Sequence, residues 1–314
     1  MDKPLKWKGW VITCLTLVII LMISSVTVIG YRVSSVYTHL TDPAQTVAAD
    51  QTYLNSVGFD KEEFLSRYDN RTVTLNSSEY DHTFDGHLFS PKTSSKGTVV
   101  MAHGLGGSKQ SVYPVAALFL DMGYAVFAID LPNAGSSTSR LNTFGVRESY
   151  DVLDAVRYIS EQSDKALILW GMSYGGAAAA IAAGRDDSDI DYLILDSPLG
   201  DPEYMIDKGL DFIEQSSPVS PELLKRASDL YTTGRYGFSI KSMNAAAWLS
   251  QSSIPVLVLS SDSDEVTPLF MAEALYNASH HQDSRLIKFH DVSHAMMYYE
   301  EPKQYTQAIN QFLN

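Results

Sequence analysis

The sequence predicts an α/β protein: a mostly parallel sheet of about eight strands with helices on both faces, a helical cap insertion, and a transmembrane helix ahead of it. Three observations carry that expectation. Beyond residue 70, short apolar runs alternate with segments of helical periodicity. Gly171-Met172-Ser173-Tyr174-Gly175 sits between the apolar run Ala166–Trp170 and the small-residue run Gly176–Ala180, a pattern that reads as strand, sharp turn and helix. Residues 10–30 contain no charged side chain.

The uncharged stretch would span about 32 Å as a helix, matching a bilayer core. Lys3, Lys6 and Lys8 precede it and Arg32 follows it. A cleaved signal peptide has a shorter apolar region and ends in small residues, and Val28-Ile29-Gly30 is a poor version of such a site. A retained anchor is therefore expected through residues 10–30, with Trp7 and Trp10 at the interface. The lysines place the N-terminus in the cytoplasm and the remainder across the cell membrane, a single-pass protein with an extracellular catalytic domain.

The expected organisation is a cytoplasmic tip and anchor over 1–32, a helical linker over 33–69, and the α/β domain over 70–314. Two helices fit the linker, at 42–57 and 60–68, the second with Asp60 as N-cap and Glu63 three residues on. Strands follow at 71–75 and 82–89 as an antiparallel pair, then at 98–102, 124–129, 166–170, 192–195, 255–259 and 285–289. Helices are expected between them at 112–122, 146–161, 174–183 and 269–278, with a last one from Met297. The interval 199–252 is too long for a simple crossover. It reads as a cap insertion of helices near 202–215, 221–231 and 241–249, of the kind that shapes access to a site.

With 45% hydrophobic residues among 314, the chain has enough apolar surface for a sizeable core. Its net charge is −14, and more acidic still without the N-terminal lysines, which argues against a nucleic-acid partner. Cys14 is the single cysteine, so no intrachain disulfide and no thiolate metal cluster can form. No metal and no cofactor is expected. Asn70, Asn76 and Asn277 begin glycosylation triplets, which have meaning only in a secretory-pathway host.

A serine hydroxyl becomes a useful nucleophile when an imidazole removes its proton and a carboxylate holds that imidazole in one tautomer. Where the serine sits on a strand-to-helix turn, acid and base follow it in that order on loops after later strands. The loop after strand 255–259 offers Asp262, Asp264 and Glu265. Asp264 is preferred because Val266-Thr267-Pro268 leads directly into the next helix, and Asp262 and Glu265 remain alternatives. After strand 285–289, His294 falls on a loop and is the expected base, with His290 at the strand end as the alternative. Four-residue spacing at a strand end does not suit His290 and His294 as metal ligands. Two backbone amides are expected to form the oxyanion hole, Tyr174 just after the serine and Leu105 in the glycine-rich loop His103–Ser108. His103 and Gly104 support that loop, and Gly171 and Gly175 give the turn its room.

Together the Gly171–Gly175 turn, the His103-Gly104 loop, Asp264 and His294 resemble the α/β-hydrolase superfamily over residues 71–314. Gly145-x-x-Glu148-x-x-Asp151, Asp196-Ser197-Pro198 and His294-Ala295-Met296 are similar to its serine aminopeptidase and prolyl-oligopeptidase-like branch, and membrane-anchored bacterial hydrolases look similar from end to end. That resemblance implies the α/β-hydrolase fold and the catalytic roles above. One departure stands out: relatives often carry an arginine in the loop after the fourth strand, where this chain has Pro132 and Asn133, although Gly135-x-Ser137 remains.

The expected activity is cleavage of a small-molecule ester or related acyl bond through an acyl-enzyme. A peptidase or amidase acting on peptides or cell-wall material is the second possibility, with Glu203, Asp207 and Asp211 available to hold an amino group. A catalytically silent binding or sensing scaffold is the third.

Overall fold

The computed structural model describes residues 5–214 and 219–314. The chain begins with three helices, α1 (Leu5–Thr38), α2 (Pro43–Ser56) and α3 (Lys61–Arg67). Strands β1 (Asn70–Asn76), β2 (Thr83–Phe89) and β3 (Gly97–Ala102) follow, then α4 (Tyr113–Asp121), β4 (Ala125–Ile129), α5 (Glu148–Ser160), β5 (Ala166–Met172), α6 (Tyr174–Arg185) and β6 (Tyr192–Asp196). The insertion holds α7 (Pro202–Glu214), α8 (Pro221–Tyr236), a 3-10 turn (Ile240–Met243) and α9 (Ala245–Leu249). The chain closes with β7 (Val256–Ser261), α10 (Leu269–Ala278), β8 (Arg285–Phe289), α11 (Met297–Glu300) and α12 (Pro302–Leu313).

The eight strands form one sheet in the order β1-β2-β4-β3-β5-β6-β7-β8. β2 runs antiparallel to β1 and β4, and every other neighbouring pair is parallel. β3, β5, β6 and β7 are buried almost throughout, as strands covered on both faces must be. Their loops at the C-terminal edge bring distant parts of the sequence together, the usual place for a site in such a sheet.

The chain divides into two compact units. The first combines α1 with residues 204–240. The 34-residue α1 contains an 18-residue window of mean hydropathy 2.6, none of it buried, so it is long and apolar enough to cross a membrane. The helix does not end at Arg32. It continues to Thr38, and its last turns pack on α8 through Tyr31 against Tyr231, with ring centroids 5.9 Å apart, and a hydrogen bond between the Tyr37 and Ser228 hydroxyls. Lys225 of α8 pairs with Asp207 of α7 at 2.8 Å. The expected end of α7 at Gln215 lies outside the described residues.

The second unit comprises residues 39–203 and 241–314. Here α2 and α3, read from sequence as a linker, are part of the packed body. Asp42 caps α2 by accepting from the Ala44 amide, and Asp60 caps α3 by accepting from Glu63. Phe64 of α3 is buried against Phe59, Tyr68, Phe89 and Tyr113, with centroids 5.0–5.5 Å apart. The third helix expected in the insertion separates into the 3-10 turn and α9, whose Trp248 receives the Arg185 guanidinium of α6 at 4.4 Å from its ring. The helix expected from Met297 is two helices, because Pro302 has no amide hydrogen to continue the first and is accommodated in the first turn of the second.

If α3 belongs to this core, Phe64→Ala leaves a cavity beneath four rings and costs about 3–5 kcal/mol. Urea unfolding of the full-length chain in detergent should show a clearly lower midpoint with an unchanged slope.

Candidate active site

Ser173 lies at the junction of β5 and α6 with φ 53° and ψ −116°, a conformation that a side-chain-bearing residue adopts only under constraint. The constraint is steric and hydrogen-bonded. A Cβ on Gly175 would lie 2.3 Å from the Ala102 carbonyl oxygen, and one on Gly171 would lie 2.4 Å from the Gly175 oxygen, so both positions exclude a side chain. The Ser173 amide donates to the Asp196 carbonyl at 2.9 Å, and the Ser173 carbonyl accepts from Gly176 and Leu199.

His294 Nε2 is 3.0 Å from Ser173 Oγ, and His294 Nδ1 is 2.7 Å from Asp264 Oδ2. This pairing sets the tautomer: Nδ1–H donates to the carboxylate, and Nε2 is left to accept from the serine hydroxyl. Asp264 is buried, and its Oδ1 accepts from the Val266 and Thr267 amides at 2.9 and 2.8 Å. Burial alone would raise the Asp264 carboxyl. The His294 and Thr267 hydrogen bonds outweigh it and hold the group below its ordinary value. Thr267 was not singled out in the sequence as a site residue, yet its hydroxyl sits 2.9 Å from Asp264 Oδ2 and 3.1 Å from His294 Nδ1. The alternative acid and base meet elsewhere: Asp262 and His290 pair with each other at 2.6 Å on the exposed surface, and Glu265 is exposed.

Leu105 is 43% exposed in the loop after β3, and Gly104 packs beside Ser173, where an added Cβ would be 3.5 Å from the serine Cβ. His103 is buried, with Nδ1 2.8 Å from the Gly104 carbonyl and Nε2 accepting from the Leu131 amide at 3.0 Å. Burial lowers its pKa, so the imidazole is held neutral in a structural role. The Tyr174 amide opens α6, while its buried hydroxyl donates to Glu148 at 2.5 Å. Glu148 also accepts from the Thr143 and Gly145 amides, which fixes the turn before α5. Asp151, one turn on, is held by the Ser77 hydroxyl at 2.7 Å and by His82 at 2.8 Å.

A cavity of about 330 Å³ opens onto Ser173 and His294. Besides the glycine-rich loop and Met172 it is lined by Ala49, Asp50 and Tyr53 of α2, a helix that lies ahead of the α/β domain expected over 70–314. The only clue in the sequence was that Thr46, Asp50 and Leu54 share one helix face, which the structure buries. The unusual loop after β4 also meets this segment. Asn133, at φ 60°, donates from Nδ2 to the Thr41 carbonyl at 2.7 Å and to Asn142 Oδ1 at 2.8 Å. Asn133, one of the two residues that could stand in the expected arginine position, therefore fastens the chain just ahead of α2.

Among the described residues no group of three or more His, Cys, Asp or Glu side chains is arranged to hold a metal ion. Of the three acidic residues considered for binding an amino group, Asp207 is paired with Lys225, Glu203 lies at the start of α7, and the side chain of Asp211 lies outside the described ones.

Residues 97–236 match the family described as alpha/beta hydrolase fold. The chain has the α/β-hydrolase fold. It is 24% identical to the uncharacterized protein YqkD of Bacillus subtilis (strain 168) over 249 residues, covering 78% of this chain and 79% of that one. The esterase Pf2001 of Pyrococcus furiosus superposes with a TM-score of 0.65 at 18% identity, covering 87% of this chain and 97% of that one. A putative lipase, lip1, of Acinetobacter baumannii AYE superposes with a TM-score of 0.56 at 19% identity, covering 85% and 94%. These neighbours share the α/β-hydrolase fold with this chain.

Behind the site, burial pushes the Asp196 carboxyl up to about 6, against the hydrogen bond from the Tyr305 hydroxyl at 2.6 Å. In the unfolded chain it titrates near 4, so folding takes up a proton between those values. Stability from this group is therefore greatest at and below about pH 4 and declines by about 3 kcal/mol as pH rises to about 6. Relative to Asp196→Asn, the wild-type Tm should fall across that window and run parallel above it, as thermal melts from pH 4 to 8 would show.

Proposed function

We propose that the chain is a membrane-anchored serine hydrolase that cleaves an ester or related acyl bond through an acyl-enzyme on Ser173. The observation that carries this reading is the continuous hydrogen-bond chain from Ser173 Oγ through His294 to Asp264, at 3.0 and 2.7 Å, on a serine held at positive φ. In that reading His294 Nε2 takes the Ser173 proton as Oγ adds to the substrate carbonyl carbon. Asp264 stabilises the imidazolium without taking its proton. The Leu105 and Tyr174 amides receive the oxyanion, a contribution of roughly 3 kcal/mol for each donor. His294 then protonates the leaving alcohol, and the same imidazole activates a water that hydrolyses the acyl-enzyme.

Ester cleavage is the leading reading of this arrangement, and a peptidase or amidase using the same three side chains is the second. Anchoring through residues 10–30 is supported by the apolar, unburied α1, and the flanking lysines favour a cytoplasmic N-terminus with the catalytic unit outside the cell.

A fluorophosphonate probe should label the wild-type chain at Ser173 and leave Ser173→Ala unlabelled. Ser173→Ala and His294→Ala should each lower kcat on a p-nitrophenyl ester by about 10⁴-fold or more. Labelling that persists in Ser173→Ala would overturn the assignment.

A further inference from the structure

We propose that α2 is a working part of this site, with Asp50 as the positioning residue that aims the oxyanion loop. The inference rests on reading Ser173 as the nucleophile.

The loop His103–Ser108 must present a backbone amide to the oxyanion, yet little inside it can hold that amide still. Gly106 sits at φ +84°, Leu105 is exposed, and among the described residues the only backbone hydrogen bond across the turn is the long one from the Gly107 amide to the Gly104 carbonyl, at 3.4 Å. Its direction is set by its two ends. One end is fixed by His103, through Gly104 and Leu131. The other is fixed by Asp50, whose carboxylate is 1% exposed and accepts from the Ser108 amide at 3.0 and 3.2 Å and from the Ser108 hydroxyl.

Gly107 shows how closely the loop lies on this carboxylate. A Cβ there would be 3.1 Å from Asp50 Oδ1 and 2.7 Å from Ser111 Oγ, so a side chain at this position would have to displace the Ser111 hydroxyl and crowd the carboxylate. A buried carboxylate taking both donors of one residue is a strong local restraint, because releasing either donor would remove one of its buried hydrogen bonds with no water to replace it.

The same helix face reaches the other half of the site. Tyr53, one turn beyond Asp50, donates its hydroxyl to the Tyr299 hydroxyl at 2.9 Å. Tyr299 lies in α11, which begins three residues after His294. The donor loop and the base loop are thus tied to a single helix, itself fastened by the Gly135 amide donating to Thr46 Oγ1 at 3.0 Å. Without Asp50 the base and nucleophile keep their places, while the oxyanion donor loses its aim.

The test uses full-length protein in detergent, comparing wild type, Asp50→Asn, Asp50→Ala and Ser173→Ala. Readouts are kcat and KM on p-nitrophenyl acetate, Kd for phenylboronic acid, whose tetrahedral adduct on serine draws on the oxyanion donors, and Tm. Both Asp50 variants should lose about 10- to 100-fold in kcat with KM within twofold, and weaken the boronate by the same factor. Asp50→Asn preserves shape and one acceptor, so it keeps the test open if Asp50→Ala does not fold. A folded variant with wild-type kcat and boronate affinity would overturn the inference, as would a fall in kcat with boronate affinity retained. A wild-type protein that neither hydrolyses the ester nor binds the boronate would overturn the nucleophile reading itself, and this inference with it.

Discussion

The site depends on one backbone constraint, the left-handed conformation of Ser173 where β5 passes into α6. A side chain at positive φ is uphill in isolation, and here the neighbouring structure makes any relaxation more costly. Gly171 and Gly175 leave no room for a Cβ, so α6 can press its first turn onto the end of β3. The small residues that follow keep that helix against the sheet. Tyr174 then braces the turn from behind, through Glu148 and the amides of residues 143–145. The geometry of Ser173, the direction of the Tyr174 amide and the position of α6 are consequences of one close approach.

An acidic protein has a second problem, which is where to put carboxylates that the fold buries. Asp50, Asp130, Glu148, Asp151, Asp196 and Asp264 all lie inside, around the C-terminal edge of the sheet. Each is met by donors suited to it: Lys109 for Asp130, His82 for Asp151, backbone amides for Asp264 and Glu148, and Tyr305 for Asp196. Asp196 is the incomplete case, since its Oδ1 has no hydrogen-bond partner among the described residues. That deficit matches the direction of its shift, because a half-satisfied buried carboxylate holds its proton more tightly.

What the sequence revealed follows from the range of the interactions involved. Apolar runs, Asp and Pro at helix starts, and the turn at Ser173 are local patterns, and the observed strands differ from expectation by a residue or two at their ends. The choice between Asp264 and Asp262 was open in the sequence because both sit on one loop; only the fold shows Asp262 turned to His290 and Asp264 turned inward. The part played by α2 was hidden for a stronger reason. Asp50 meets a loop 58 residues later, and nothing near it in the chain announces that partner. Likewise the extension of α1 to Thr38 depends on α8, nearly two hundred residues away.

The hydrogen bond between Tyr53 and Tyr299 joins residues 246 apart in the chain. A contact of that separation has no partner to form with until almost the whole polypeptide has been synthesised, and it closes late because the intervening chain must be ordered first. Ser173 and His294 are themselves 121 residues apart. A nascent chain with its first helix already made would thus carry Ser173 without its His294 partner and an α2 without its second tether.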